Sequence, residues 1–140
     1  MIPMQATVQS NVTFEGHGLH TGCDARVVLR PALPDTGIVF RRTDVGVDIP
    51  ALWDHVIVSS LNTRLENGAG VCVSTIEHLM AALAGCGVHN VIVEIDGPEV
   101  PILDGSAAAF VRGIVEAGVQ SQGAPLQAIE ILRDVSVEVN

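Results

Sequence analysis

The sequence predicts one α+β domain, and three observations support this fold class. The 140 residues fit a single domain, and 48% hydrophobic with 16% charged residues is a globular composition. Apolar residues alternate or run continuously in several short segments, which is typical of strands. Two other segments carry apolar residues at the spacing of amphipathic helices. Because aromatic residues make up only 3% of the chain, we expect a core of Val, Ile, Leu and Ala.

The charge balance bears on the class of partner. The formal net charge is −9, and the seven basic residues are all arginines. Such a surface repels nucleic acid and anionic lipid headgroups, so we expect no nucleic-acid partner. A small anionic substrate is still compatible with it, because one arginine or a helix N-terminus can hold such a molecule locally.

The cysteines indicate a reducing compartment. Cys23, Cys72 and Cys86 are odd in number, far apart and without a CxxC spacing, which argues against a disulfide framework. The sequence has no basic n-region followed by an apolar core, and no apolar run reaches the ~18 residues of a membrane span. We therefore expect a cytoplasmic protein without a signal peptide or a transmembrane segment.

The first half of the chain predicts strands. Apolar residues of one parity over 6–14 indicate a half-buried strand, and residues 25–29, stopped by Pro31, indicate a second. The two form a predicted antiparallel hairpin around a glycine-rich loop at 15–22. A third strand begins at residue 38. Residues 47–73 are less regular and predict a small inserted sheet, with a hairpin-type turn of sequence Asn-Gly-Ala-Gly.

The second half combines two helices with a buried strand. Residues 75–84 carry one apolar stripe and predict a helix closed by Gly85, followed by a central strand at 90–95. This order suggests a strand–helix–strand crossover, with the helix on one sheet face. After a Pro- and Gly-containing loop, residues 107–117 predict a second helix, capped by Ser106 or Asp104.

The last residues suggest that the domain is followed by another. Residues 120–125 are polar and turn-rich, which indicates a linker. Residues 129–139 then alternate apolar and polar side chains, which predicts a strand. We therefore expect a first domain at 1–122, with its insert at about 47–73, and a linker and opening strand of a second domain at 123–140.

Glu77 and His78 carry the candidate chemistry. A catalytic zinc needs about three protein ligands and one open position, where a carboxylate can deprotonate water. Adjacent helical residues point about 100° apart, so His78 and Glu77 can border one cavity at a helix start. The alternative is a capping box formed by Ser74 and Glu77. Ala81 and Ala82 stand where a second helical histidine would lie, so further ligands must come from elsewhere.

Other polar residues have weaker claims to a role. His17 and His20 flank the glycine loop and suit either loop packing or substrate contact. Two more histidines, at positions 55 and 89, lie in polar loops and are expected at the surface. Turn and capping hydrogen bonds explain Glu99 and Asp104 without chemistry.

Four motifs together resemble a known family. They are Gly-Leu-His-Thr-Gly at 18–22, Phe-Arg-Arg-Thr-Asp at 40–44, Ser-Thr-Ile-Glu-His-Leu at 74–79 with Ala-Ala-Leu-Ala-Gly at 81–85, and Pro-Ile-Leu-Asp-Gly-Ser-Ala at 101–107. In this order they resemble the UDP-3-O-acyl-N-acetylglucosamine deacetylases, zinc enzymes of lipid A synthesis in Gram-negative bacteria. The resemblance runs nearly end to end.

The resemblance implies an architecture and an activity. The family has two similar α+β domains, each a two-layer unit with a mixed or antiparallel sheet backed by two helices, and the active site lies between them. This chain resembles the first domain with its small inserted sheet. The missing C-terminal domain supplies a His-Lys-x-x-Asp helix that completes the zinc site, and a histidine acting as general acid. The implied reaction is zinc-dependent removal of acetate from the acetamide of a UDP-acyl-sugar.

The resemblance also implies residue roles. His78 becomes a zinc ligand and Glu77 the base that activates water, while His20, Leu61 and Asn62 become substrate-binding residues. Ser60 and Asn62 replace residues that are more often Met and Cys in the family, so their side-chain contacts differ. Because most ligands lie outside this chain, we expect it to be inactive alone. The alternative is a non-catalytic binding or structural module of the same fold, and a metal site completed by His17 or His20 is a third possibility.

Overall fold

A computed structural model describes residues 3–139. Residues 1, 2 and 140, which the predicted domain ranges include, lie outside the described residues. In chain order the elements are β1 (Met4–Val8), β2 (Val12–His17), β3 (Asp24–Pro31), β4 (Ile38–Arg42), β5 (Val47–Pro50), a 3-10 turn (Trp53–His55), β6 (Val56–Ile57), β7 (Arg64–Glu66), β8 (Cys72–Ser74), α1 (Glu77–Gly85), β9 (Val91–Ile95), α2 (Ala108–Ala117) and β10 (Val119–Pro125). The predicted α+β class is confirmed.

The main sheet has five strands in the order β2-β3-β9-β4-β5. Its middle strand, β9, pairs antiparallel with β3 and parallel with β4, so the predicted central position of this apolar strand is confirmed. The predicted hairpin is also present, because β2 and β3 pair antiparallel from Val12 opposite Leu29 to His17 opposite Asp24. Residues 15–17 of the predicted glycine-rich loop belong to β2, and the loop itself, residues 18–23, projects from one end of this hairpin; these residues are called the glycine loop below.

The predicted single strand at 6–14 is wrong, because the chain bends between Val8 and Val12. β1 is not part of the main sheet; it pairs antiparallel with β10. The Gln9 amide, just after β1, donates to the Gly118 carbonyl at 2.8 Å. The side-chain parity continues through the bend, so both pieces bury their apolar residues. A change of partner strand leaves no trace in such a pattern.

The inserted sheet is present, but its predicted range needs correction. Three short strands, β6, β7 and β8, form a separate antiparallel sheet. β5 pairs instead with β4 across a turn at 43–46 and so belongs to the main sheet. The predicted turn in the small sheet is formed, since the Asn67 side chain accepts the Ala69 and Val71 amides at 3.0 and 2.9 Å.

The two helices and the main sheet share one core. α1 and α2 contact each other, and α2 contacts β2, where the rings of Phe110 and Phe14 meet edge to face at 4.9 Å. Fully buried side chains from sheet and helices belong to one cluster; among them are Val27, Leu29, Phe40, Val93, Leu79, Leu83, Phe110 and Ile114. The predicted crossover is wrong in one respect, because the strand before α1 lies in the small sheet and not beside β9.

Residues after α2 differ from the prediction. The expected linker at 120–125 is part of β10, which crosses the expected boundary at residue 122. Residues 126–139 have no regular secondary structure, so the strand expected at 129–139 is not formed, and its apolar side chains are exposed. A strand needs a partner for its backbone groups, and the described residues provide none there. Residues 3–139 also contain no helix long and apolar enough to cross a membrane.

Candidate functional site

A cleft of about 290 Å³ lies between the glycine loop and the small sheet. Its lining residues come from the glycine loop, from the segment before β7, and from the strands beside it: His20, Thr21, Ser59, Ser60, Leu61, Asn62, Arg64, Ser74 and Glu99. The three predicted substrate-binding residues, His20, Leu61 and Asn62, are therefore in one place although about forty residues separate them. Leu61 is 77% exposed, so the cleft presents an apolar side chain beside polar ones.

Glu77 and His78 are the first two residues of α1, and both are half-buried. The Glu77 carboxylate accepts the Thr63 backbone amide at 3.0 Å, which ties it to the residue after Asn62. This bond links the start of α1 to the cleft. Neither residue lines the cleft itself.

The capping box is not formed. α1 begins two residues later than predicted, its N-cap is Ile76, and no side chain caps it. The Ser74 amide donates to the Pro98 carbonyl at 2.8 Å, and Glu77 is engaged with Thr63. The helix cannot begin at Thr75 because that residue has a φ of 57°, in the left-handed region. Of the two interpretations of Glu77, capping is therefore wrong.

Glu99 is the residue whose importance the sequence did not reveal. Its carboxylate is 1% exposed and accepts the His20 amide at 3.0 Å, the Thr21 amide at 2.7 Å and the Thr75 hydroxyl at 2.8 Å. Burial raises the pKa of Glu99, but these hydrogen bonds outweigh it and lower the pKa to about 2. The carboxylate is thus ionised, and it joins the glycine loop to the start of α1.

Asn62 belongs to the same network. Its side-chain amide donates to the Thr75 hydroxyl oxygen at 3.0 Å, and its carbonyl oxygen accepts the Ser59 hydroxyl. The sequence offers only an indirect indication of this network, namely that Glu99 lies between two prolines in the loop before α2. The groups that donate to Glu99 lie 24 to 79 positions from it in the chain, so no local sequence pattern can predict these hydrogen bonds.

The other candidates lie outside this network. His17 Nδ1 is 2.6 Å from Asp24 Oδ1 at the surface, and His55 pairs with Asp54. His89 was expected at the surface, but it is half-buried and its Nδ1 accepts the Ala6 amide at 3.0 Å. As predicted, Asp104 organises its own loop, accepting the Ser106 amide and hydroxyl.

The described residues do not supply a complete donor set for a metal. Within residues 3–139, no three His, Cys, Asp or Glu side chains are grouped so that they can hold a metal ion. The possibility of a site completed by His17 or His20 therefore finds no support in the described part of the chain. The half-buried imidazole of His78, at the first turn of a helix, fits the chemistry of one zinc ligand among several.

Comparison with known sequences identifies relatives. A sequence model of UDP-3-O-acyl N-acetylglycosamine deacetylases matches residues 5–140. Proteins named UDP-3-O-acyl-N-acetylglucosamine deacetylase are similar: one from Phenylobacterium zucineum is 54% identical over 136 residues (95% of this chain, 46% of the relative), one from Myxococcus xanthus 52% over 135 (95% and 43%), and one from Vibrio cholerae 48% over 136 (96% and 45%).

This chain spans about half the length of the curated relatives it matches. The family match nevertheless covers nearly all of the chain, including the glycine loop, the small sheet and both helices. The chain therefore belongs to the UDP-3-O-acyl N-acetylglycosamine deacetylase family.

Proposed function

We propose that this chain is the N-terminal portion of a zinc-dependent deacetylase. Its substrate is UDP-3-O-acyl-N-acetylglucosamine, and hydrolysis of the acetamide yields the free amine and acetate during lipid A synthesis in the cytoplasm of a Gram-negative bacterium. The observation that carries the proposal is the Glu77–His78 pair at the start of α1, with the Glu77 carboxylate held by the Thr63 amide, in a chain of this family.

His78 is the proposed zinc ligand. His78 is the second residue of α1, directly after Glu77 in the sequence, and it is half-buried. When bound, zinc would act as a Lewis acid that activates water and polarises the acetamide carbonyl. The remaining ligands must come from the part of the relatives that this chain does not span.

Glu77 is the proposed general base. A carboxylate oxygen takes one proton from the attacking water while the oxygen of that water bonds to the acetamide carbon. The carbon–nitrogen bond then breaks, and the leaving amine takes a proton from an acid outside this chain. The Thr63 amide occupies Oε2 at 3.0 Å, which orients the carboxylate and leaves Oε1 to accept the proton.

The cleft supplies the proposed substrate contacts. His20 and Asn62 offer polar groups for the sugar nucleotide, while the exposed Leu61 offers an apolar surface for the acyl group. Because the whole site needs further ligands and an acid, the isolated chain is expected to bind zinc weakly and to lack turnover.

The test compares the isolated chain with a chimera. The chimera joins residues 1–140 to the remaining half of the Phenylobacterium zucineum relative. We expect the chimera to retain about one zinc per chain and to release acetate from UDP-3-O-acyl-N-acetylglucosamine, whereas the isolated chain does neither. In the chimera, His78→Ala should lower zinc content at least tenfold, while His55→Ala, a histidine paired with Asp54, should leave it unchanged.

Two results would contradict the proposal. Acetate release by the isolated chain, above a chelator-treated control, would show that the described part contains a complete site. If the His78→Ala chimera kept its full zinc content, and neither this variant nor the unmutated chimera turned over substrate, a binding or structural module of the same fold would be favoured.

A further inference from the structure

Within residues 3–139, Glu99 is a buried charge without a charged partner. No arginine or histidine side chain within residues 3–139 forms an ion pair with it, and it is 1% exposed. Burying a carboxylate is costly unless hydrogen bonds replace its water. Here the replacement comes from two consecutive backbone amides, of His20 and Thr21, and one hydroxyl, of Thr75. Because apolar residues of similar volume often replace buried charged groups without loss of stability, stability alone does not explain a carboxylate at this position.

The glycine loop is shaped to admit this carboxylate. A Cβ on Gly18 would lie 2.3 Å from Glu99 Oε2 and 2.4 Å from the Thr21 hydroxyl oxygen. The loop closes on itself through bonds from the Gly18 amide to the Cys23 carbonyl and from the Gly22 amide to the Gly18 carbonyl. A residue with a side chain at position 18 would therefore displace the carboxylate from the loop.

Thr75 lies on the other side of the carboxylate, in an unfavourable backbone conformation. Its φ of 57° is unfavourable for a β-branched residue, and such conformations persist where surrounding contacts impose them. Its hydroxyl donates to Glu99 and accepts from Asn62, so it joins three segments. The neighbouring Ser74 backbone bonds on both sides of Glu99, to the Pro98 carbonyl and from the Val100 amide.

We propose that Glu99 is a positioning residue of the catalytic site, acting through Thr75. The carboxylate fixes the backbone of His20 on one side and the hydroxyl of Thr75 on the other. Thr75 in turn holds Asn62 and sets the direction in which α1 begins, two residues before Glu77. The catalytic relevance of this inference rests on the proposed function, whereas the network itself does not.

The Thr63 amide provides a direct readout, because it donates to the Glu77 carboxylate. Hydrogen exchange of this amide, measured by NMR on the 15N-labelled chain at pH 7, reports whether Glu77 is held in place. Thr75→Val keeps the side-chain shape and the backbone cost but removes the hydroxyl. We expect it to speed Thr63 exchange at least tenfold relative to the amides of β9, while Thr75→Ser retains the wild-type ratio.

A matched control separates positioning from stability. Ile114→Val removes one buried methylene group from α2, a helix that makes no hydrogen bond to Glu99, and should lower protection of all globally protected amides together. If Thr75→Val changes the Thr63-to-β9 ratio no more than Ile114→Val does, the positioning role is wrong. If Thr75→Val does not fold, Thr75→Gly relieves the backbone cost while still removing the hydroxyl, and the same ratio decides.

The readout requires neither zinc nor turnover. Loss of the proposed function, through failure of the chimera to bind zinc or release acetate, would leave the exchange result intact. Conversely, the chimera could be active while Thr75→Val leaves the Thr63-to-β9 exchange ratio unchanged. This result would support the proposed function and contradict the positioning role.

Discussion

At the scale of single residues, Glu99 is a buried carboxylate that hydrogen bonds stabilise in its ionised form. Hydrogen bonds from His20, Thr21 and Thr75 keep its carboxylate ionised at 1% exposure. The site therefore contains two carboxylates with different environments. Glu77 is half-buried and accepts one backbone amide, whereas both carboxylate oxygens of Glu99 accept hydrogen bonds.

The depressed pKa of Glu99 predicts loss of stability in acid. Its folded-state pKa of about 2 lies below the usual 4.5, so its stabilising contribution is complete above pH 4.5 and is lost as the pH falls toward 2. The shift corresponds to about 3 kcal/mol in the free energy of unfolding. Urea unfolding of the wild type between pH 7 and pH 2 should show this fall. The Glu99→Gln variant should have a lower free energy of unfolding at pH 7, and that free energy should change less with pH.

Glu116→Gln, a change of an exposed helix residue, provides the control and should follow the wild-type curve. If Glu99→Gln had the wild-type slope below pH 4.5, protonation of another carboxylate would cause the acid loss, and the assignment to Glu99 would be wrong.

The sequence identified only part of the site at this scale. The adjacency of Glu77 and His78 and the glycine loop around His20 are local features, so a pattern can find them. The link from Glu99 to the His20 amide spans 79 positions, and the link to Thr75 spans 24. These contacts depend on how loops meet after folding, and local spacing carries no record of them.

At the scale of elements, α2 sits very close to β2. Gly113 faces the sheet, and a Cβ there would lie 2.7 Å from ring carbons of Phe14 and 3.0 Å from Val12. The glycine therefore permits a close helix-to-strand approach. This contact places α2, with Phe110 and Ile114, over the same core as α1.

Gly113→Ala should destabilise the chain by about 1–3 kcal/mol, because relief of the clash requires a shift of α2 or of Phe14. This is the opposite of helix propensity, which favours alanine by about 1 kcal/mol. The matched control is Gly85→Ala at the end of α1, where an added Cβ meets nothing within 4 Å and stability should hold or rise. Urea denaturation measures the free energy of unfolding of both variants. Equal values would show that α2 can accommodate a Cβ at position 113 without displacing Phe14 or Val12.

The existence of most elements was predictable, and so was the β2–β3 hairpin, but the partners of β1, β5 and β10 were not. Apolar parity shows which side of a strand is buried, yet it is unchanged where the chain bends between β1 and β2. The irregular pattern from residue 47 places β5 in the predicted insert, and the polar, turn-rich sequence of β10 predicts a linker. α1 begins two residues later than predicted because Thr75 has a left-handed φ. That conformation comes from the tertiary contacts of Thr75 and not from its residue type.

At the scale of the whole molecule, all helices and strands of the described residues lie between Met4 and Pro125. One core joins the main sheet to both helices, while residues 126–139 lie outside it with exposed apolar side chains. The chain spans about half the length of its curated relatives. The alternation at 129–139 predicts a strand that the described residues leave without a partner, and we propose that a second domain supplies one.

The central proposal is that Glu77 is the base of a deacetylase, and Glu77→Gln in the chimera tests it directly. Glutamine keeps an oxygen for the Thr63 amide but cannot take a proton, so turnover should fall about 10²–10⁴-fold while the free energy of unfolding and the zinc content remain unchanged. Acetate release and urea denaturation of the same samples give both quantities. If the variant turned over substrate at the wild-type rate, Glu77 would not be the base; if it lost stability and turnover together, its role would be structural.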